Sequence, residues 1–274
     1  MLSRWFPWLA GCLMWAGLAS AQVEMTFSLP HHEVLELETV PALVTLVNRG
    51  GKPLQQGADY DLAFDITDSS GVQIRRRPNQ ALIVPGTLPA GQSITVTNDL
   101  SLTYQIARQG PYTVQARLKL AQRALVSGRE YLDVMPGAEV AVAEGVAGDG
   151  SARRYSLRQL SRKNISRLYL RVDNPEASLC YGVVDLGRVI PLRAPILQVD
   201  GQGLIHALHM TGPVQFIHSV FSPDGELVAQ QTHAGDANAV RLQPDPEAGF
   251  RVEGTGVSEP RDPFIETLPG RKHL

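Results

Sequence analysis

Ala42-Leu43-Val44-Thr45-Leu46-Val47-Asn48-Arg49-Gly50-Gly51-Lys52-Pro53-Leu54 decides the fold. An apolar run rich in β-branched residues stops at a Gly-Gly turn, which reads as a strand and its exit. The sequence on either side repeats that form. Tyr60, Leu62, Phe64 and Ile66 alternate with Asp61, Ala63, Asp65 and Thr67, and Ser69-Ser70-Gly71 then turns the chain toward Val72-Gln73-Ile74-Arg75. Tyr112, Val114, Ala116, Leu118 and Leu120 alternate with Thr113, Gln115, Arg117 and Lys119, a period no helix would bury.

Shorter runs complete the set: Val23–Leu29, Val34–Leu37, Ser93–Thr97 and Glu130–Val134, with Leu88-Pro89-Ala90-Gly91-Gln92 and Gly110-Pro111 as turns. Short strands punctuated this regularly predict an antiparallel sandwich over residues 22–136. The same residues carry a resemblance. Val44-Thr45-Leu46-Val47-Asn48 with Gly51-Lys52-Pro53-Leu54, Phe64-Asp65-Ile66 with Asp68 and Gly71, the Leu88–Gln92 turn, and Gly110-Pro111-Tyr112-Thr113-Val114 resemble bacterial immunoglobulin-like modules of exported proteins. These modules include the BsuPI-type proteinase-inhibitor domains and fibronectin-like sandwiches. The resemblance implies an immunoglobulin-like fold over residues 40–120. It implies a proteinase inhibitor only as an alternative, because no stretch matches an inhibitory loop.

Residues 137–154 read as a boundary, with Gly145, Gly148, Asp149 and Gly150 in a loop, and alternation restarts at Leu168, Leu170 and Val172. A second, smaller antiparallel β domain is expected over 137–243. Its clearest part is a four-stranded meander over 195–232, joined at Asp200-Gly201-Gln202-Gly203, Thr211-Gly212-Pro213 and Ser222-Pro223-Asp224-Gly225. One such unit is no propeller, so this sheet is expected to close against the strands of 138–192. Residues 244–274, with Pro244, Pro246, Pro260, Pro263 and Pro269, read as a largely disordered tail, apart from a candidate strand at Phe250-Arg251-Val252. The fold class is therefore all-β.

Arg4 followed by an uncharged apolar run and Ala19-Ser20-Ala21 predicts a signal peptide, residues 1–21, cleaved before Gln22. Leu9-Ala10-Gly11-Cys12 also fits a lipoprotein motif, but only Trp5 to Trp8 separate it from Arg4 and the apolar run continues past Cys12, so anchoring there is not expected. Cleavage removes every tryptophan and leaves 24 basic and 27 acidic side chains. A chain so nearly neutral is not built for nucleic acid, and it holds no second apolar run that could span a bilayer. The expected location is periplasmic or extracellular.

His206 and His218 are the most specific candidates for chemistry. A short hairpin at Thr211–Pro213 sets Met210 against Val214 and His206 against His218, both on the face that carries Leu208, Phe216 and Val220. Two imidazoles on an apolar face suit a metal if a third donor such as Cys180 approaches; otherwise they are packed core residues. Cys180, within Leu179–Val184, reads as a small hydrophobe in a buried strand. His209 and His233 are expected in solvent, and His31-His32-Glu33 as a loop without the second histidine of a zinc-protease helix. The Asp200 and Asp224 turns have too few oxygen donors for calcium loops. Arg75, Arg76 and Arg77 form a basic patch that suits either an acidic partner or edge protection, and Asn164-Ile165-Ser166 is a formal glycosylation acceptor.

No nucleophile elbow, phosphate loop, dinucleotide fingerprint or Cys-x-x-Cys pair is present. The leading expectation is an exported, non-catalytic binding or structural protein that uses no cofactor and meets a protein partner outside the cytoplasm. A hydrolase or metal-dependent enzyme using the second domain is the alternative.

Overall fold

The computed structural model describes residues 23–106, 108–176 and 179–256. The expected signal peptide, Cys12 and the last eighteen residues of the expected tail lie outside the described residues. Among the described residues no helix is long and apolar enough to cross a membrane.

The N-terminal half contains β1 (Val23–Ser28), β2 (Glu33–Leu35), β3 (Pro41–Asn48), β4 (Leu54–Gln55), β5 (Tyr60–Asp68), β6 (Thr87–Leu88), β7 (Ser93–Asp99), α1 (Leu100–Thr103), β8 (Gly110–Leu120), β9 (Ala124–Val126) and β10 (Glu130–Met135). One sheet has the order β1-β3-β7. The other has the order β2-β10-β8-β5, with β9 on β8. All ladders are antiparallel except β2 on β10, and β4 pairs with β6 at one end. This is an immunoglobulin-like sandwich.

Alternation explains its core. Ala42, Val44 and Leu46 point inward from β3 and meet Tyr60, Leu62, Phe64 and Ile66 of β5 and Tyr112, Val114, Ala116 and Leu118 of β8. Asn48 ends β3 as a fully buried junction. Its side chain donates to the Lys52 and Leu88 carbonyls and accepts from the Gly50 amide, and its backbone bonds Gly91 and Gln92. That single residue ties the Gly-Gly exit to the Leu88–Gln92 turn, the two motifs most evident in the sequence. Tyr112 does the same at the start of β8, where its hydroxyl donates to the Arg108 carbonyl at 2.7 Å and accepts from the Arg108 amide.

Residues 72–75 return along β5 only for a short stretch and form no named strand. The Asp68 amide on the Val72 carbonyl, the Thr67 to Gln73 bridge and the Ile74 amide on the Ile66 carbonyl hold them briefly to β5 before the chain leaves to bond residues 103–105. Pro78 and the left-handed Asn79 redirect the segment.

The C-terminal half contains β11 (Ala138–Val146), β12 (Ala152–Arg162), β13 (Ile165–Asn174), β14 (Leu179–Arg188), β15 (Ile196–Val199), β16 (Ile205–Gly212), β17 (Gln215–Phe221), β18 (Leu227–Gly235), β19 (Arg241–Asp245), β20 (Gly249–Glu253) and β21 (Thr255–Gly256). β11 to β14 form one antiparallel meander. β15 to β18 form a second, with β21 beside the end of β18, and β19 and β20 pair only with each other. The two meanders pack face to face, with Tyr155, Leu157, Leu168, Leu170 and Val172 against Leu197, Ile205, Ala207 and Phe221.

The hairpin of β19 and β20 corrects the boundary expected at residue 244. Pro244 pairs with Phe250 in a two-stranded ribbon, where a missing amide is tolerated on the unpaired side, and Asp245 caps the turn by accepting from the Glu247 and Ala248 amides. Val240, Leu242, Phe250 and Val252 then cover Leu208, Met210 and Phe216. The second meander is thus the middle of three layers.

The two halves meet where β2 reaches the first meander. Leu35 packs with Leu160, Tyr169 and Val183, Arg171 bonds Glu36 at 3.0 Å, and Arg162 bonds Glu38. Burial pushes the Glu38 pKa up, against the opposing pull of Arg162 and the Leu35 amide.

Tyr112→Phe keeps the ring and removes both hydroxyl bonds to Arg108. It should destabilise the sandwich by about 1–2 kcal/mol, read as a lower urea midpoint with an unchanged slope.

Candidate functional site

The turn between β15 and β16 is Asp200-Gly201-Gln202-Gly203. Asp200 Oδ1 accepts from the Gln202 and Leu204 amides at 2.8 and 2.9 Å, and Gly203 takes the left-handed conformation (φ +83) that closes the turn. This uses one carboxylate oxygen. The other, Oδ2, accepts from His206 Nε2 at 3.0 Å, with both side chains about 2% exposed.

His206 Nδ1 lies 3.1 Å from His218 Nε2. The ring centroids are 5.3 Å apart and the planes are inclined by 23°. With nitrogens so much closer than centroids, the rings meet edge to edge and not face to face. An ionised Asp200 can only accept, so in the neutral pair His206 carries its proton on Nε2 and His218 Nε2 donates to the bare His206 Nδ1. The result is a buried line, Asp200, His206, His218.

Burial alone would raise the Asp200 pKa, but the bonds from His206, Leu204 and Gln202 outweigh it and hold the carboxyl below its usual range. His218 is pushed down to about 4, first by burial and then by the nearby His206 and His233. Gly249 makes room for the carboxylate: a Cβ there would stand 2.2 Å from Asp200 Oδ2. Phe250 closes the site with its ring edge-on to His206 at 5.1 Å.

The register differs from that expected. Leu208, not His206, stands opposite His218, and His206 stands opposite Val220. A bulge at Thr211 places Met210 opposite Phe216, shifting the pairing by two residues. A shift of two preserves the face, so the histidines still meet, along a diagonal.

His209 and His233 are buried, at 1% and 8% exposure, and not in solvent. The expectation assumed one wet face, whereas β16 is covered on both. His209 faces the first meander, where burial lowers its pKa to about 4 against the weaker pull of the Leu186 backbone and Asp185. His233 stands beside Phe216 and 6.2 Å from the His218 ring, and burial lowers its pKa as well. Among the described residues neither ring has a partner of ordinary hydrogen-bond geometry.

Cys180 is not brought to the histidines. It lies on β14 opposite Asp173 in the other sheet, and burial, then Asp173, push its thiol up to about 11. Among the described residues no three His, Cys, Asp or Glu side chains are gathered to hold a metal ion. Arg75 and Arg76 are exposed and Arg77 is half-buried, with Arg76 bonding the Gln80 carbonyl and Arg77 the Tyr104 carbonyl.

Two features were missed in the sequence. Asp200 reads as a turn residue, and its role as partner to His206 needs the hairpin to close. The second is the outer edge of β18. β21 pairs only with Ala234 and Gly235, so Leu227 to Thr232 have no ladder partner on that side among the described residues. Leu227, Val228, Ala229, Gln230 and Gln231 are all exposed. A cleft of about 540 Å³ lies at the end of the meanders between residues 144–148, residues 199–203 and Pro223; Asp200 is in its lining and none of the histidines is.

No protein-family model matches the chain, and no curated protein matches it. Among solved structures it is similar to the periplasmic chaperone SfaE, at 13% identity over 75% of this chain and 97% of that one, with a TM-score of 0.23. It is also similar to a chain from a chaperone–tip adhesin complex described as vital for activation of CFA/I fimbriae biogenesis. That match has 6% identity over 85% of this chain and 100% of the other, with a TM-score of 0.25. Superpositions this loose transfer no function.

His209 and His218 stay neutral down to about pH 4, whereas an unfolded histidine titrates near 6.5. As pH falls the unfolded chain takes up protons first, so the stability tied to these residues is complete above 6.5 and is lost on the way to 4. His209 alone contributes roughly 3 kcal/mol over that window. Unfolding free energy measured across it should fall steeply, and His209→Leu should flatten the slope.

Gly249→Ala combines a positive φ of 73 with a Cβ driven into Asp200. It should lower stability by about 2 kcal/mol or more, seen as a reduced thermal midpoint.

Proposed function

We propose that the chain is an exported, non-catalytic binding protein that acts in the periplasm or outside the cell by pairing an extended segment of a protein partner with β18. The observation that carries this reading is the edge itself. From Leu227 to Thr232 it is uncharged and unpaired on its outer side, and from Leu227 to Gln231 it is exposed. Sheets that avoid strand addition place lysine, proline or a bulge on such an edge. None of the six residues from Leu227 to Thr232 is a lysine or a proline, and the one bulge, at Val228, leaves Ala229 to Thr232 in regular register.

An added strand would gain main-chain hydrogen bonds along the edge, and alternate side chains would meet Leu227 or Val228. The partner segment suited to it is extended, uncharged and alternately apolar. The histidines support no enzyme reading here: they are enclosed, and the cleft at the end of the sheets reaches none of them.

The test uses a photo-crosslinking side chain at Gln231 in the exported protein, with and without Val228→Lys and Gln230→Lys together. A discrete crosslinked partner should form with the unmodified edge and fall at least tenfold with the two lysines. Crosslinking that is unaffected by the lysines, or that yields no partner, overturns the reading.

A further inference from the structure

We propose that His206 Nδ1 and His218 Nε2 form a two-coordinate site for a soft monovalent cation, Cu(I), with Asp200 as the positioning carboxylate behind His206.

The argument begins with direction. The two nitrogens are 3.1 Å apart and the rings meet edge to edge, so a lone pair on each would point along the line between them. A metal on that line binds both with little change in ring orientation. Bonds of about 2.0 Å would set the nitrogens roughly 4 Å apart, so the rings need to part by about 1 Å. Zinc asks for four ligands in a tetrahedron, and hard cations ask for oxygen. Cu(I) accepts two in-line donors, and imidazole is a suitable one.

The surroundings fit the same ion. Asp200 fixes His206 through Nε2, leaving Nδ1 as the free donor, in the arrangement by which a carboxylate orients a metal-binding histidine. Asp200 is itself held by two amides and seated against Gly249. Leu208, Met210, Phe216 and Phe250 form an apolar surround that excludes the water a divalent ion would keep. On binding, the bridging proton of His218 moves from Nε2 to Nδ1, which frees the Nε2 lone pair without releasing a proton. The β19 and β20 hairpin that covers the site shares no ladder hydrogen bonds with the sheet beneath it among the described residues.

The test is an anaerobic titration of the full exported chain with Cu(I) against bicinchoninate, followed by copper K-edge absorption. One Cu(I) per chain with two nitrogen neighbours is expected. His218→Gln should weaken binding at least a hundredfold, and Asp200→Asn, which touches no metal, by about tenfold or more. Because either substitution can unfold the sheet, the unmodified protein with ¹⁵N-labelled histidine is also titrated with Ag(I). His206 Nδ1 and His218 Nε2 should then shift together and couple to silver. Protein that takes no Cu(I) from the chelator, binding undiminished in folded His218→Gln, or shifts confined to the exposed His31 and His32 would each overturn the proposal.

Discussion

A strand buried on both faces leaves its polar side chains nowhere to find water, and β16 carries a histidine on each face. His206 is satisfied by Asp200 on one side and His218 on the other. His209 has no partner of ordinary hydrogen-bond geometry among the described residues, and burial outweighs the Leu186 backbone to keep it neutral. The three layers of the C-terminal half depend on this. The first meander, the second meander and the hairpin can close only if every histidine between them remains uncharged or is paired with Asp200.

The junction between the two halves obeys the same rule with opposite charges. Glu36 and Glu38 sit at the end of β2, and the first meander supplies Arg171 and Arg162 to meet them around Leu35, Leu160 and Tyr169. Buried pairs of this kind add little net stability, because desolvation offsets attraction, but breaking one leaves a charge without a partner. Their effect is to specify one arrangement of sandwich against sheet. Gly137 shows how close the approach is: a Cβ there would lie 2.5 Å from Leu35 Cδ1.

Much of the fold is legible in the chain because period-two alternation and turn chemistry are local properties. Ala42 to Asn48, Tyr60 to Ile66 and Tyr112 to Leu120 each bury one face of a strand, and each can be read without knowing its neighbours. The four strands over residues 195–232 follow from their turns in the same way. The strand at Phe250 to Val252 is legible in the same way, but its partner β19 is not, because Pro244 signals disorder in composition while it sits in a ribbon where no amide is needed.

For the histidines, the sequence by itself determined that His206 and His218 lie on adjacent strands and share a face, since a slip of two residues in pairing leaves the face unchanged. Only the tertiary structure decided what that face meets. Whether a strand has one buried face or two depends on how many layers stack on it, and β16 is enclosed by a sheet from earlier in the chain and a hairpin from later. The burial of His209 and His233 and the separation of Cys180 follow from that stacking, which joins segments whose spacing in the sequence carries no record of it, while Asp200 meets His206 when the turn between β15 and β16 closes.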